Sequence, residues 1–354
     1  MVSLTQRNPF IIELREGLRG SCKHSSSQNC RFPIRRLWAM ISKNSDTMKS
    51  ELKKVGDVWD SKTGASGARR PAGGGNWWGN SIVQRHVNRL ICGKPLAGGG
   101  AGVRERMKSI LNGAHGFERA VSIGCGTAEK ELRLISEGIV GHFDLYELSE
   151  KRASVGLAKA KAAEIESQVA FCVQDAFQQQ QSERYDLVYW DNSLHHMMDV
   201  DEAVAWSKAC LRPGGWLVMN DFVGPSRFQW DDYNIEICNR IRSMLPEHYF
   251  RRPGDDSAMF KRLISRPTPE KIIALDPSEA ADSTRIIPSL NKYFPGAIIS
   301  PTGGAIYHIG FAGLYGNMDM SDQYDRGIVD WMLLVDEVLM RQGLTHYAFA
   351  VCQV

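Results

Sequence analysis

Paired cysteines, long apolar runs and an excess of charge of one sign are what this sequence has little of. Its eight cysteines, at positions 22, 30, 92, 125, 172, 210, 238 and 352, include no Cys-X-X-Cys pair. Zinc ribbons and fingers draw their ligands from such close pairs, so scattered thiols argue against them. Cys125, Cys172 and Cys352 fall inside apolar, strand-like runs, which predicts buried free thiols and a reducing cytoplasm. No run approaches the ~18 apolar residues of a membrane span. The formal net charge of +3 is too small to argue for nucleic acid or an anionic membrane as partner. With 354 residues, 43% of them apolar, the chain can bury a sizeable core in one large domain or two smaller ones.

The first 47 residues differ from the rest. They are basic and Ser-rich in the middle, with no signal-peptide core followed by a small-residue cleavage site. They read as a disordered extension, or as sequence ahead of a start at Met48. Residues 48–118 read as a lid with helices: a Gly-rich tract at 61–75, the pair Trp77 and Trp78, and apolar residues at 82, 83, 87, 90 and 91, whose 3.6-residue period predicts a helix.

The chain is organised around Val121-Ser-Ile-Gly-Cys-Gly-Thr-Ala-Glu129, an apolar run that breaks into a Gly-X-Gly turn and opens a helix. Such a turn aims backbone N–H groups and a helix N-terminus at a ligand that can approach closely. Thr127 is the expected N-cap. Further runs, Phe143–Glu147, Val169–Asp175, Tyr185–Asp191 and Gly214–Asp221, each read as a buried strand ending in a carboxylate on one edge of a parallel sheet. Between them lie helices beginning at Ser149, running to about Ile165, and at Asp201–Leu211. This alternation is the signature of a doubly wound α/β sheet.

In motif order and spacing, residues 119–222 resemble a class I S-adenosylmethionine-dependent methyltransferase of the small-molecule type. The resemblance implies a three-layer α/β/α fold with a seven-stranded, mostly parallel sheet, an N-terminal lid, and a helical insertion after the fifth strand. Residues 119–222 would be the Rossmann-like cofactor core, 223–296 the insertion or cap, and 297–354 the strands and helix completing the sheet. Within the insertion, helices are expected over Asp232–Met244 and Pro277–Phe294; beyond it, a strand at Ala297–Ser300, a helix over Asp325–Arg341 and a strand over Tyr347–Val354. The resemblance further implies that Gly124, Cys125 and Gly126 cradle the methionine part of S-adenosyl-L-methionine. Glu147 would receive the ribose hydroxyls, Asp175 and Ala176 border the adenine, and Asp191 begin the loop beside the methyl group. Ser122 stands where the family often has an acid, and Ala128 at a third small position; Glu129 or Glu131 is the substitute source of negative charge. A nicotinamide dehydrogenase is the rival, and would normally show a third glycine where Glu129 stands.

Methyl transfer from a sulfonium needs alignment and removal of a proton from the acceptor. The loop Asp191-Asn-Ser-Leu-His-His196 offers His195 or His196 as base. An Asn/Asp-Pro-Pro-aromatic motif, shared by enzymes that methylate amino groups of nucleic acids and glutamine, is absent here. Asp191, Asn220 and Asp221 are in the wrong order for a catechol-type magnesium site, so no metal is expected. The leading expectation is a small-molecule or saccharide hydroxyl acceptor, with Trp77, Trp78, His86, Arg227 and Trp230 as candidate substrate contacts. A catalytically silent cofactor-binding scaffold and a tRNA or protein methyltransferase are the alternatives. Oligomeric state leaves no signature.

Overall fold

The computed structural model describes residues 50–63, 75–113, 115–178, 182–252 and 255–354. The basic stretch 1–47 and most of the Gly-rich tract lie outside the described residues.

Helix α1 covers residues 50–62, followed by α2 (Ser81–Cys92) and α3 (Ala101–Leu111). The core then alternates: β1 (Phe117–Ile123), α4 (Glu129–Ser136), β2 (Val140–Tyr146), α5 (Glu150–Ala162), β3 (Val169–Cys172), β4 (Tyr185–Asp191), α6 (Val200–Cys210) and β5 (Leu211–Phe222). After it come α7 (Asp232–Met244), a hairpin of β6 (Arg251–Arg252) and β7 (Asp255–Met259), α8 (Pro269–Leu275) and α9 (Ile286–Tyr293). The chain closes with β8 (Ile298–Gly303), α10 (Gln323–Arg341) and β9 (Tyr347–Gln353).

Seven strands form one sheet in the order β3-β2-β1-β4-β5-β9-β8. The first five run parallel, and β9 is antiparallel to both β5 and β8. Successive side chains on a strand face opposite ways, and here they feed two cores. Ala120, Leu187, Tyr189, Val218, Phe349 and Val351 enter the one shared with α2, α3 and α10. Val121, Val188, Trp190, Leu217, Met219, Ala350 and Cys352 enter the one shared with α6 and α9. The layered, doubly wound expectation is therefore met. No helix among the described residues is long and apolar enough to cross a membrane.

Several local expectations are corrected. Thr127 is not the cap of α4: Ala128 occupies that position with φ of 54°, while the Thr127 hydroxyl bonds Lys159 Nζ. Ser149 does cap α5, accepting from Arg152 N–H, but the helix stops at Ala162 rather than near Ile165. β3 ends at Cys172, leaving Asp175 in the following loop, where its carboxylate accepts from Phe177 N–H at 3.1 Å. Pro277–Phe294 is not one helix. Polar side chains there compete for backbone partners: Asp276 accepts from Ser278 N–H at 3.0 Å, Asp282 from Val200 N–H at 3.0 Å, and Ser283 donates to Gly224 O at 2.8 Å. The insertion also contains the β6–β7 hairpin, so it is not purely helical.

Candidate active site

The carboxyl ends of β1, β2, β4 and β5 define one edge of the sheet. At the end of β1, Gly124 and Gly126 take φ of 67° and 61°, the left-handed region open to glycine. A Cβ at Gly124 would stand 3.1 Å from Ser193 Cβ, so the turn is packed against the loop after β4. Glu147, buried just past β2, accepts from Gly126 N–H at 2.7 Å and Ser149 N–H at 2.9 Å. It thus spans the turn and the start of α5.

Ser122 donates from its hydroxyl to Glu131 Oε1 at 2.8 Å, and both residues are buried. Glu131 Oε2 is buried without a partner. Burial pushes the Glu131 carboxyl up to about 7, against the opposing pull of Ser122 and Lys130. Glu129 instead faces solvent and pairs with Lys159. Of the two acids weighed as a source of charge, Glu131 is the one turned inward.

Asp191 is not a free acid. Lys130 Nζ at 2.7 Å, Tyr189 hydroxyl at 2.7 Å, Asn192 Nδ2 at 2.6 Å and Asn220 Nδ2 at 3.1 Å all donate to its carboxylate. Four donors make it the brace of the loop that carries the two histidines. Lys130 and Asn220 were not legible as parts of this brace.

That loop turns over Asp221, at the end of β5, whose Oδ2 accepts from Ser193 N–H at 2.8 Å and Leu194 N–H at 2.7 Å. Its Oδ1 meets Nδ1 of His195. On the other side of the imidazole, Nε2 lies 3.6 Å from Glu279 Oε1. Burial opposes charge on His195, but Asp221 and then Glu279 outweigh it and hold its pKa well above the ordinary histidine range. His196 goes the other way, lowered by burial and then by the charge of His195. Its Nδ1 is 3.0 Å from Ser278 Oγ, and that hydroxyl donates to Asp276 at 2.6 Å.

The candidate substrate contacts separate into groups. Trp77 stacks on Trp78 with ring centroids 3.7 Å apart and meets Tyr347 edge-on. Trp230 stacks on Phe228 and His346, and Phe222 joins Trp230, Tyr347 and His195 edge-on. Trp77, Trp78 and Trp230 therefore belong to one aromatic wall that reaches the histidine pair. Arg227 lies near it in another capacity: its guanidinium donates to Pro277 O at 2.7 Å and Glu279 O at 3.0 Å, fixing the loop that carries Ser278 and Glu279. His86 is elsewhere, in a groove between α2 and α10 with Arg89 and Glu337. Ala176 is buried beside the β3 end, and Cys125 is half-buried in the turn.

α1 crosses this edge. Trp59 lies 3.9 Å under the Arg152 guanidinium and meets the His196 ring edge-on at 5.2 Å. Asp60 accepts from the Ser149 hydroxyl and from Lys151 N–H, and Lys62 pairs with Asp276 at 2.9 Å. Within 48–118 it is Trp59, rather than the Trp77–Trp78 pair, that sits beside the histidines.

A seven-stranded sheet in this order, with a Gly-X-Gly turn after β1 and a buried acid after β2, is the fold of class I S-adenosylmethionine-dependent methyltransferases. Residues 117–249, under half of the chain, match the sequence profile of the family described as "Methyltransferase domain". Among curated proteins, 27-O-demethylrifamycin SV methyltransferase of Amycolatopsis mediterranei (strain S699) is 31% identical over 107 residues. That match covers 30% of this chain and 39% of the relative, so the chain spans about two fifths of it. Among solved structures, phosphoethanolamine N-methyltransferase 2 of Haemonchus contortus with S-adenosyl-L-methionine aligns at 12% identity and TM-score 0.45, over 76% of this chain and 56% of that one. The [4+2]-cyclase SpnF aligns at 15% identity and TM-score 0.40, over 77% and 93%.

Proposed function

We propose that this chain is an S-adenosylmethionine-dependent methyltransferase that moves a methyl group to a hydroxyl of a small-molecule or saccharide acceptor. The observation that carries the reading is convergence: the Gly124–Gly126 turn, Glu147 and the braced His195–His196 loop meet at one sheet edge under α1. The site fits the cofactor by its unspent polar groups. Glu131 Oε2 and Ser193 Oγ are buried beside the turn with no partner, which suits a cationic amino acid moiety. When bound, the cofactor supplies an electrophilic methyl on a sulfonium.

The chain's residues then divide the work. The backbone of Gly124, Cys125 and Gly126, with Ser122 and Glu131 behind it, holds the amino acid end. Glu147 takes the ribose hydroxyls as a carboxylate acceptor, and Asp175 and Ala176 border the base. Asp191 braces the loop. The aromatic wall of Trp77, Trp78 and Trp230 gives the acceptor an apolar face, and its hydroxyl loses its proton to His196, the imidazole of the pair that burial and the His195 charge keep neutral. The relative named for 27-O-demethylrifamycin SV supports a hydroxyl on a small molecule.

Calorimetry of the full chain with S-adenosylmethionine and S-adenosylhomocysteine tests this. Binding is expected for both, weakened roughly tenfold or more in Glu147→Ala, which loses a charge-assisted bidentate contact. Labelled-methyl transfer to a panel of hydroxylated acceptors should follow. Absence of binding, or binding indifferent to Glu147→Ala, overturns the reading; full turnover in His195→Ala, His196→Ala and the double variant removes the histidines from it.

A further inference from the structure

The histidine pair and Glu279 have a geometry beyond what proton removal requires. One ligand atom from each of His195, His196 and Glu279 lies within 4.8 Å of the others. His195 Nε2 and Glu279 Oε1 are 3.6 Å apart, near the ~3.3 Å that separates two ligands on a tetrahedral ion with bonds of about 2.0–2.1 Å.

The hydrogen bonds behind the imidazoles fix their tautomers. Asp221 is an ionised acceptor anchored by two backbone N–H groups, so Nδ1 of His195 carries the hydrogen between them. The Ser278 hydroxyl spends its one hydrogen on Asp276, so its oxygen accepts from Nδ1–H of His196. In both imidazoles Nδ1 is thereby committed and Nε2 is the atom offered: on His196 as a lone pair, and on His195 once an ion displaces the proton that faces Glu279. Histidine ligands to metals are oriented in this way, by a carboxylate or a relayed hydroxyl on the far nitrogen. Arg227 completes the support by holding the Glu279 backbone at 3.0 Å.

We propose that His195, His196 and Glu279 form a binding site for a divalent first-row transition ion, with zinc as the representative. Two imidazoles and one carboxylate suit zinc or ferrous iron, whereas magnesium prefers an all-oxygen shell. Three protein ligands leave a coordination position open beside the aromatic wall. The role of the ion, though not its binding, rests on the methyl-transfer reading. A coordinated acceptor hydroxyl releases its proton to solvent, and the resulting oxyanion forms the new O–C bond while the C–S bond breaks and its electron pair stays on sulfur. With the ion bound the imidazoles serve as ligands; without it, proton removal falls to His196, as proposed above.

The test is metal binding by the full chain, stripped with chelator and measured without cofactor. One equivalent of Zn2+ is expected, Co2+ should give a visible ligand-field absorption, and excess Mg2+ should displace neither. Glu279→Gln and His196→Ala should each weaken Zn2+ binding on the order of 100-fold, and Ser278→Ala about tenfold as a supporting contact. Glu279 is part-exposed, at 27% of its side-chain surface, so Glu279→Gln should melt like the parent and report the site even where a histidine variant fails to fold. No stoichiometric Zn2+, or binding unchanged in Glu279→Gln and His196→Ala, overturns the proposal. Cofactor binding without metal binding would sink this inference and spare the function; metal binding without cofactor binding would do the reverse.

Discussion

Glu131 shows how much depends on one side chain's direction. Glu129 and Glu131 are two positions apart in the first turn of α4, so they cannot share a face; one pairs with Lys159 outside while the other reaches Ser122 inside. Docking of a cation at Glu131 Oε2 favours the ionised carboxylate, and a group near 7 must give up its proton to reach it. Cofactor binding at pH 7 is therefore expected to release about half a proton, and affinity to rise as pH rises through 7. Calorimetry in buffers of differing ionisation enthalpy measures that release, and Glu131→Gln should abolish it. Stability without ligand runs the opposite way. A folded-state pKa raised from 4.5 to about 7 gives a contribution present in full below the unfolded value and lost as pH rises through 7, about 3 kcal/mol at most. Unfolding midpoints should fall between pH 5 and 8 in the parent and stay flatter in Glu131→Gln. At this scale the sequence was legible where the backbone itself demands a residue, as at Gly124 and Gly126. It was not legible at Glu279, whose meeting with His195 spans 84 residues and belongs to no local pattern.

Among the elements, α10 is readable from its apolar period, and the expected start at Asp325 lies within a turn of Asp322, the observed cap. What α10 supports was not readable. Asp336, buried in its middle, accepts N–H bonds from Gly304 at 3.0 Å and Ile306 at 2.6 Å, which lets an irregular segment after β8 stay buried. Buried backbone donors need such partners, but a carboxylate on a helix and a coil some 30 residues away share no periodicity. Gly303 makes this contact possible: its φ is 84°, and a Cβ there would lie 1.9 Å from Asp336 Oδ2. Gly303→Ala must shift either the carboxylate or the strand end, and should cost about 3 kcal/mol or more through lost hydrogen bonds and backbone strain. Denaturant unfolding checks it; a cost under about 1 kcal/mol would show that the carboxylate moves aside freely. The same logic explains the failed helix at Pro277–Phe294, where Asp276, Ser278 and Asp282 spend their side chains on backbone and shape the loop that bears Glu279.

Across the whole molecule, α1 ties together parts that the sheet edge keeps separate. Asp60 holds the start of α5 beside Glu147, Lys62 holds Asp276 behind His196, and Trp59 bridges Arg152 and His196. Val55 is its one buried apolar side chain among residues 50–63, so polar and cation–π contacts, each worth only about 0.5–2 kcal/mol, do most of the holding. An element held that way opens without unfolding the core; on the function proposed above, it is the cover under which the cofactor enters and leaves. Trp59→Ala and Asp60→Ala should therefore leave the global unfolding midpoint within about 1 kcal/mol of the parent while weakening S-adenosylhomocysteine binding about 5- to 30-fold, mainly through faster dissociation. Stopped-flow displacement separates the two rates, and cleavage of α1 by a protease should slow when the cofactor is bound. Equal dissociation rates in parent and variants would mean that α1 is a fixed wall, and that the cofactor reaches the Gly124 turn by a path that does not pass beneath Trp59.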